Sequence, residues 1–175
     1  MRIHIYPHNE LLNLARYHLG VMNDKLQSGN EDAVSLDALS CLIALAFSIE
    51  ALVNFTGAKS VQNWKEKQPF HNKIQKVCQA IGINFDGQIE PFKLVESLKT
   101  IRDQIAHGKP FDGPVDVTSS TELKQAITPW GKYLTPTYIN HAYEQVKAFQ
   151  RILLHNSGVP IGATLTSAFG RRPGT

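Results

Sequence analysis

An apolar segment without charges, from Ala38 to Ile49, constrains the fold of this chain more than any other feature. It lies within a stretch that is apolar on almost every side at helical spacing, which indicates a helix buried all round. The uncharged run is too short to cross a bilayer. We therefore expect a central helix, capped by Asp32 and ending near Thr56 and Gly57, and no membrane partner.

Four further helices are predicted around it by apolar residues at helical spacing. They run from about residue 9 to 26, from Pro69 to Gly82, from Pro91 to Gly108, and from Pro136 to about residue 155. Prolines at helix starts and glycines at helix ends support these boundaries. The sequence thus predicts an all-α fold, an up-and-down helical bundle of about four or five main helices.

The segments outside these helices are shorter or irregular. Residues 2–6 alternate polar and apolar side chains and predict a short strand, and residues 61–67 suggest a helical turn. Prolines and glycines after Gly108 predict a long irregular insertion before the last helix, in which Ser119 and Glu122 have capping-box spacing. We expect a single domain over residues 1–155 and a flexible tail over 156–175, which is rich in Gly, Ser, Thr and Pro.

The composition settles the class of protein but not its function. A formal charge of +3 and a pI near 8.9 allow a phosphate-bearing partner without requiring one. The first ten residues carry no apolar stretch typical of a secretory signal, so we expect a cytoplasmic protein in which Cys41 and Cys78 are reduced core thiols. The histidines lack metal-ligand spacing and no phosphate-binding glycine loop is present, so we expect neither a metal nor a cofactor.

The segment LKTIRDQIAHGKP, from Leu98 to Pro110, is the only place where ionisable groups stand at a spacing typical of chemistry. On an ideal helix Arg102 flanks the apolar stripe and lies about 140° from His107, so the two cannot meet on one face. Asp103 and His107 are one turn apart, and the carboxylate could accept a hydrogen bond from the imidazole. The alternative is that His107 only caps the helix C-terminus while Arg102 and Asp103 are solvated charges.

The sequence RDQIAHG resembles the R-x(4–6)-H motif of the HEPN superfamily, small all-α domains of prokaryotic toxins, phage-defence proteins and RNA-processing enzymes. Arg102 is followed by the polar Asp103, and His107 is followed by Gly108. The segment AFSIEALVNF, in which Glu50 is set among apolar residues, looks like the second long helix of such domains. The resemblance covers most of residues 9–155.

The resemblance implies metal-independent cleavage of RNA, in which the ribose 2′-hydroxyl attacks the adjacent phosphate and leaves a 2′,3′-cyclic phosphate end. By position, His107 would transfer the proton, Arg102 would hold the phosphate, and Asp103 would orient one of them. HEPN domains usually form homodimers whose motif helices face a shared cleft, so one protomer need not supply both groups. An antitoxin-like protein partner is also implied.

Glu50 and Asn54 share one side of the predicted central helix with Ile43 and Phe47. A carboxylate there is costly to bury without a partner. Glu50 would either pair with Arg102 and position it as a supporting residue, with Asn54 beside it, or form a structural pair with a base such as Arg16 or Lys73. It could also reach solvent.

Two other interpretations stay open. The residues Lys65, Lys67, Lys73, Lys76, Trp64 and Phe70 could form a basic aromatic surface for nucleic acid or an ordinary solvated helix face. The rival to an enzyme is a non-catalytic interaction module, or a module that binds nucleotides or RNA without turnover.

Overall fold

The computed structural model of this chain describes residues 2–110 and 128–169, together with Pro114 and Asp116. Over these residues it contains five α-helices and almost no strand, which confirms the all-α class. The helices are α1 (Pro7–Gln27), α2 (Val34–Ser60), α3 (Phe70–Ala80), α4 (Phe92–Ala106) and α5 (Pro136–Asn156). The more specific HEPN-like arrangement stays a prediction.

Helix α2 is the central helix, as predicted, because it packs against each of the other four. Its boundaries differ from the predicted ones. Asp32 does not cap it: the N-cap is Ala33, in the left-handed conformation at φ 54, and no side chain caps the helix. The chain turns earlier, where the Asn30 side chain accepts a hydrogen bond from the Asp32 backbone N–H. Gly57 lies buried within the helix instead of ending it.

The length of α2 also bears on the membrane argument. With 27 residues it is long and apolar enough, by length and composition alone, to cross a membrane, although its uncharged run is short. In this bundle 56% of its most apolar window is buried by the other helices. The core helix of a soluble protein meets the same criterion, so the predicted cytoplasmic location and absence of membrane contact stay predictions.

The remaining helices begin at or beside prolines, of which those at residues 69, 91 and 136 were predicted, whereas α1 begins before its predicted start at about residue 9. Pro7 and Pro136 are the first residues of α1 and α5, while Pro69 and Pro91 occupy the N-caps of α3 and α4. Proline suits these positions because the first turn of a helix leaves its backbone N–H groups without partners. At α5 the Thr135 hydroxyl also accepts a hydrogen bond from the Tyr138 backbone N–H.

All five helices contribute to one hydrophobic core. Cys41 and Cys78 lie within it as free thiols, as expected. Burial raises the pKa of Cys41 to about 12 and that of Cys78 to about 11, because the charged thiolate is poorly solvated there. These side chains are therefore inert packing groups at neutral pH.

The two ends of the described chain meet. Strand β1 (Arg2–His4) pairs antiparallel with β2 (Ser167–Phe169), and two short 3₁₀ helices, Gly131–Tyr133 and Ile161–Thr164, flank α5. The chain therefore has regular structure beyond residue 156, where the sequence predicts a flexible tail. Flexibility itself stays a prediction. The brief helix that the capping-box spacing of Ser119 and Glu122 predicts lies outside the described residues.

Candidate functional site

Arg102 lies on the flank of α4, where the helical wheel places it, and reaches toward α2. Its guanidinium forms an ion pair with Glu50 and a second one with Asp103, whose Oδ1 is 3.2 Å from Nη1. The guanidinium also lies over the Phe47 ring, 5.6 Å from the centroid. Its side chain is 23% exposed, so it remains accessible from solvent while its orientation is fixed by α2.

Glu50 is shared between two bases, so both predicted pairings are present at once. Its Oε2 pairs with Arg102, and its Oε1 accepts a hydrogen bond of 2.9 Å from Lys73 Nζ. The Lys73 side chain is only 2% exposed, and its ammonium also donates to Asn54 Oδ1 at 3.0 Å. A buried ammonium requires such partners because it has lost its hydration. Glu50 therefore joins α2, α3 and α4.

Asn54 and Asp103 have only part of the partners that the sequence suggests. Asn54 contacts Lys73, and in the described part of the chain it makes no bond to Arg102 or His107. Asp103 pairs with Lys99 one turn earlier and with Arg102. The expected hydrogen bond from His107 to Asp103 is not formed, and the imidazole is exposed instead.

His107 is the C-cap of α4, and its backbone N–H donates to the Asp103 carbonyl at 2.9 Å. Its imidazole is exposed, and within the residues that the structure describes it forms no hydrogen bond or ion pair. No bond joins Arg102 to His107 over the same residues, in agreement with their angular separation. In a single copy of the chain, the Arg102 and His107 side chains therefore do not come together at one site.

The end of α4 has one neighbour from the connection that precedes α5. A Cβ at Gly108 would lie 3.4 Å from the Trp130 ring, so the indole packs against the residue that follows His107. Trp130 thus lies beside the motif, although it does not bury the imidazole.

We call Glu50, Asn54, Lys73, Lys99, Arg102 and Asp103 the charged cluster. It contains three cations and two carboxylates, so one positive charge is uncompensated within it. No group of three or more His, Cys, Asp or Glu side chains positioned to hold a metal occurs in residues 2–110 and 128–169. The cluster therefore suits a singly charged anionic group such as a phosphodiester better than a metal cation.

Two contacts of the cluster, and the burial of Lys73, went unrecognised in the sequence. Lys73 precedes Ile74 on the inward side of α3, three residues after Phe70 and four before Val77, and this spacing signals its burial. Lys99 stands one turn before Asp103, a pairing that helical spacing also predicts. The contact of Phe47 with Arg102 has no signal in the sequence, because the two residues lie on different helices.

Comparison with protein-family models, curated proteins and solved structures finds no match for this chain. The resemblance to HEPN proteins accordingly rests on the motif residues and the helical frame.

Proposed function

We propose that this protein is a metal-independent endoribonuclease of HEPN type that acts as a homodimer. The observation that carries this proposal is the placement of Arg102, which is fixed by Glu50 yet accessible, on the helix that ends in His107, whose exposed imidazole has no partner among the described residues. An arginine held in this way can bind a phosphate, and a free imidazole at the helix end can transfer a proton.

The proposed reaction needs only these two kinds of group. The 2′-oxygen of the ribose forms a bond to the adjacent phosphorus, and the bond from phosphorus to the 5′-oxygen of the next nucleotide breaks. Arg102 stabilises the charge that develops on the phosphate oxygens. His107 transfers a proton at the reacting oxygens, with water as the other participant. The products are a 2′,3′-cyclic phosphate end and a free 5′-hydroxyl.

A second copy of the chain would resolve the separation of Arg102 from His107. If two α4 helices face each other, the arginine of one copy and the histidine of the other can approach the same phosphate. The exposed Phe47 beside Arg102 supports such an interface, since its side chain lies at the surface and is 43% exposed. A role in toxin action or phage defence, with an antitoxin-like partner, belongs to the same proposal.

One observation favours a non-catalytic interaction module as the second candidate. Arg102 is already paired with two carboxylates, Glu50 and Asp103, and a phosphate would have to compete with them. In that case the cluster would be a structural joint between helices, and the motif surface beside Trp130 would bind a protein or RNA without cleaving it.

Cleavage of a mixed RNA pool in excess EDTA tests the proposal. We expect the wild-type protein to produce cyclic-phosphate ends, and His107→Ala to reduce the rate by about 100-fold or more, because it removes a general acid–base group. His155→Ala is the matched control, since His155 is an exposed histidine in the last turn of α5.

The two candidates give different results. Equal loss in both histidine variants, or retained cleavage in His107→Ala, would argue against His107 as the catalytic group. A folded wild-type protein that leaves the whole pool intact would favour the interaction module.

A further inference from the structure

A second polar concavity lies between the end of α2 and α3, away from the catalytic groups proposed above. We call it the Trp64 pocket. It has a volume of about 240 Å³ and is smaller than pockets for drug-sized ligands, so it suits one small group. Its lining includes Gln62, Asn63, Trp64, Lys65, Gln68 and Lys76. The sequence predicts a helical turn over residues 61–67, but the chain forms non-helical turns and bends there.

The position of Trp64 depends on Gly57. A Cβ at Gly57 would lie only 2.5–2.6 Å from three adjacent atoms of the indole, so the ring lies flat against the backbone of α2. Any side chain at this position would displace it. One face of the indole is therefore covered by α2, while the other is directed away from that helix. The ring is a fixed aromatic wall of the pocket.

The indole also has an unmet hydrogen-bonding group. Trp64 Nε1 is buried and has no acceptor among the described residues. Such donors are rare in folded proteins because the lost hydration is not replaced. The indole is therefore held by its packing on α2 and not by a hydrogen bond among the described residues.

The charged groups of the pocket are both cations. Lys76 Nζ donates to Gln68 Oε1 at 2.7 Å, and Gln68 Nε2 donates to the Lys65 carbonyl at 2.5 Å. This chain of contacts holds the two lysine-bearing segments together, and both lysines are exposed. Glu66 follows Lys65 in the sequence but does not line the pocket.

The basic aromatic surface considered from the sequence is therefore smaller than predicted. Lys73 and Phe70 are buried and do not contribute to it. Trp64, Lys65, Lys67 and Lys76 remain, and all of them except Lys67 line one concavity. Two ammonium groups beside a fixed indole match a ligand that combines negative charge with a planar ring.

We propose that the Trp64 pocket binds one nucleotide of a single-stranded RNA, with the base against the indole and the phosphate held by Lys65 and Lys76. The proposal rests on the proposed function only in naming RNA as the ligand. The geometry of α2 supports it: Gly57 follows Glu50 by seven residues, which places both on the same side of the helix and about 10 Å apart. One RNA strand could contact the charged cluster and the pocket together.

Tryptophan fluorescence gives a direct test, because the chain contains only Trp64 and Trp130. In the variant Trp130→Phe with His107→Ala, Trp64 is the only tryptophan and RNA is not consumed. We expect a 12-nucleotide oligouridylate to quench this fluorescence saturably. An unchanged spectrum at RNA concentrations that saturate binding would overturn the proposal.

Matched variants measure the contribution of each group to affinity, with fluorescence anisotropy of the same labelled RNA in the His107→Ala background. Trp64→Ala should weaken binding about 5- to 150-fold, the range found for loss of one stacked base. Lys76→Gln should reduce the magnitude of the slope of log affinity against log salt concentration by about 0.7. This is the change expected for one lost phosphate contact on a single strand. Lys93→Gln, an exposed lysine on α4, should change neither quantity.

Failure of the pocket and failure of the enzyme are distinguishable. Quenching without any cleavage by the wild type would support the pocket and argue against the ribonuclease. Cleavage without quenching would support the ribonuclease and argue against the pocket. Since Lys76 is exposed, its variant keeps the test valid if Trp64→Ala does not fold, and an unchanged salt dependence in Lys76→Gln would overturn the assigned phosphate contact.

Discussion

At the residue scale, the buried side chains of Lys73 and His8 are in opposite situations. Lys73 has a carboxylate and an amide as partners. His8 is only 2% exposed, and neither of its ring nitrogens has a hydrogen-bond partner in the described residues. Its ring packs on Phe55, with centroids 4.9 Å apart. Burial lowers the pKa of His8 to about 4, because the protonated ring would lose its hydration without replacement.

His8 should therefore make the protein sensitive to acid. The unfolded chain binds a proton at this histidine below about pH 6.5, whereas the folded chain does not until about pH 4, so stability falls as the pH drops through this window. Between pH 7.5 and 5 we expect His8 to account for a loss of about 2 kcal/mol in the free energy of unfolding. Urea unfolding at both pH values measures this loss in the free energy of unfolding.

The variant His8→Leu should lack this component of the pH dependence, while His155→Gln, at an exposed position, should retain it. If His8→Leu loses stability between the two pH values as steeply as the wild type, burial of a neutral His8 is not the cause of the acid sensitivity.

At the element scale, the charged cluster joins three helices through one carboxylate. Glu50 on α2 holds Lys73 of α3 on one oxygen and Arg102 of α4 on the other. Its contact with Lys73 is mainly structural, because the ammonium is buried. Its contact with Arg102 is the one that bears on function, because that guanidinium is accessible. A single substitution at Glu50 affects both.

A double variant separates these two roles. Glu50→Ala should reduce the free energy of unfolding by about 3 kcal/mol, because it leaves the Lys73 ammonium buried with only Asn54 as a partner. Adding Lys73→Met should restore much of this loss by removing the unpaired charge. RNA cleavage should stay low in the double variant, because Arg102 still lacks the Glu50 carboxylate that fixes it against α2. Chemical unfolding and the cleavage assay together measure both effects.

Lys99→Met is the control within the same cluster, since the Lys99–Asp103 pair is partly exposed and its loss should cost less than about 1 kcal/mol. If the Glu50→Ala and Lys73→Met double variant recovers both its stability and its RNA cleavage, Glu50 acts only as a structural residue.

At the scale of the whole molecule, α2 presents an exposed apolar stripe beside the charged cluster. Leu36 and Phe47 are 62% and 43% exposed, and they lie on one side of the helix together with the half-buried Ile43. Contacts with other elements cover most of the rest of α2. Self-association over this stripe would bring two charged clusters close together, which is the arrangement that the proposed reaction requires.

The substitution Phe47→Glu tests this interface. We expect the wild-type protein to be a dimer by size-exclusion chromatography with light scattering, and Phe47→Glu to be a monomer, because a carboxylate would be buried without a partner. Leu14→Glu on α1 is the matched control at similar exposure, 46%, and should leave the dimer intact. The opposite result for the two variants would place the interface on α1.

The sequence by itself determined the helices of this protein, because helix formation depends on local spacing and on residues that start or end a helix. The uncharged run in α2 and the prolines at residues 69, 91 and 136 were sufficient to predict the central helix and three of its neighbours. Local spacing also placed Arg102 on the flank of α4 and His107 at its end.

Only the tertiary structure decided which side chains became partners, because that choice depends on groups brought in by other helices. The partners of Asp103 are the exception, since Lys99 and Arg102 belong to the same helix, α4. Glu50 meets both predicted bases because α3 and α4 pack on the same side of α2. The pairing of β1 with β2 likewise joins segments at opposite ends of the chain, a non-local contact that no local pattern specifies.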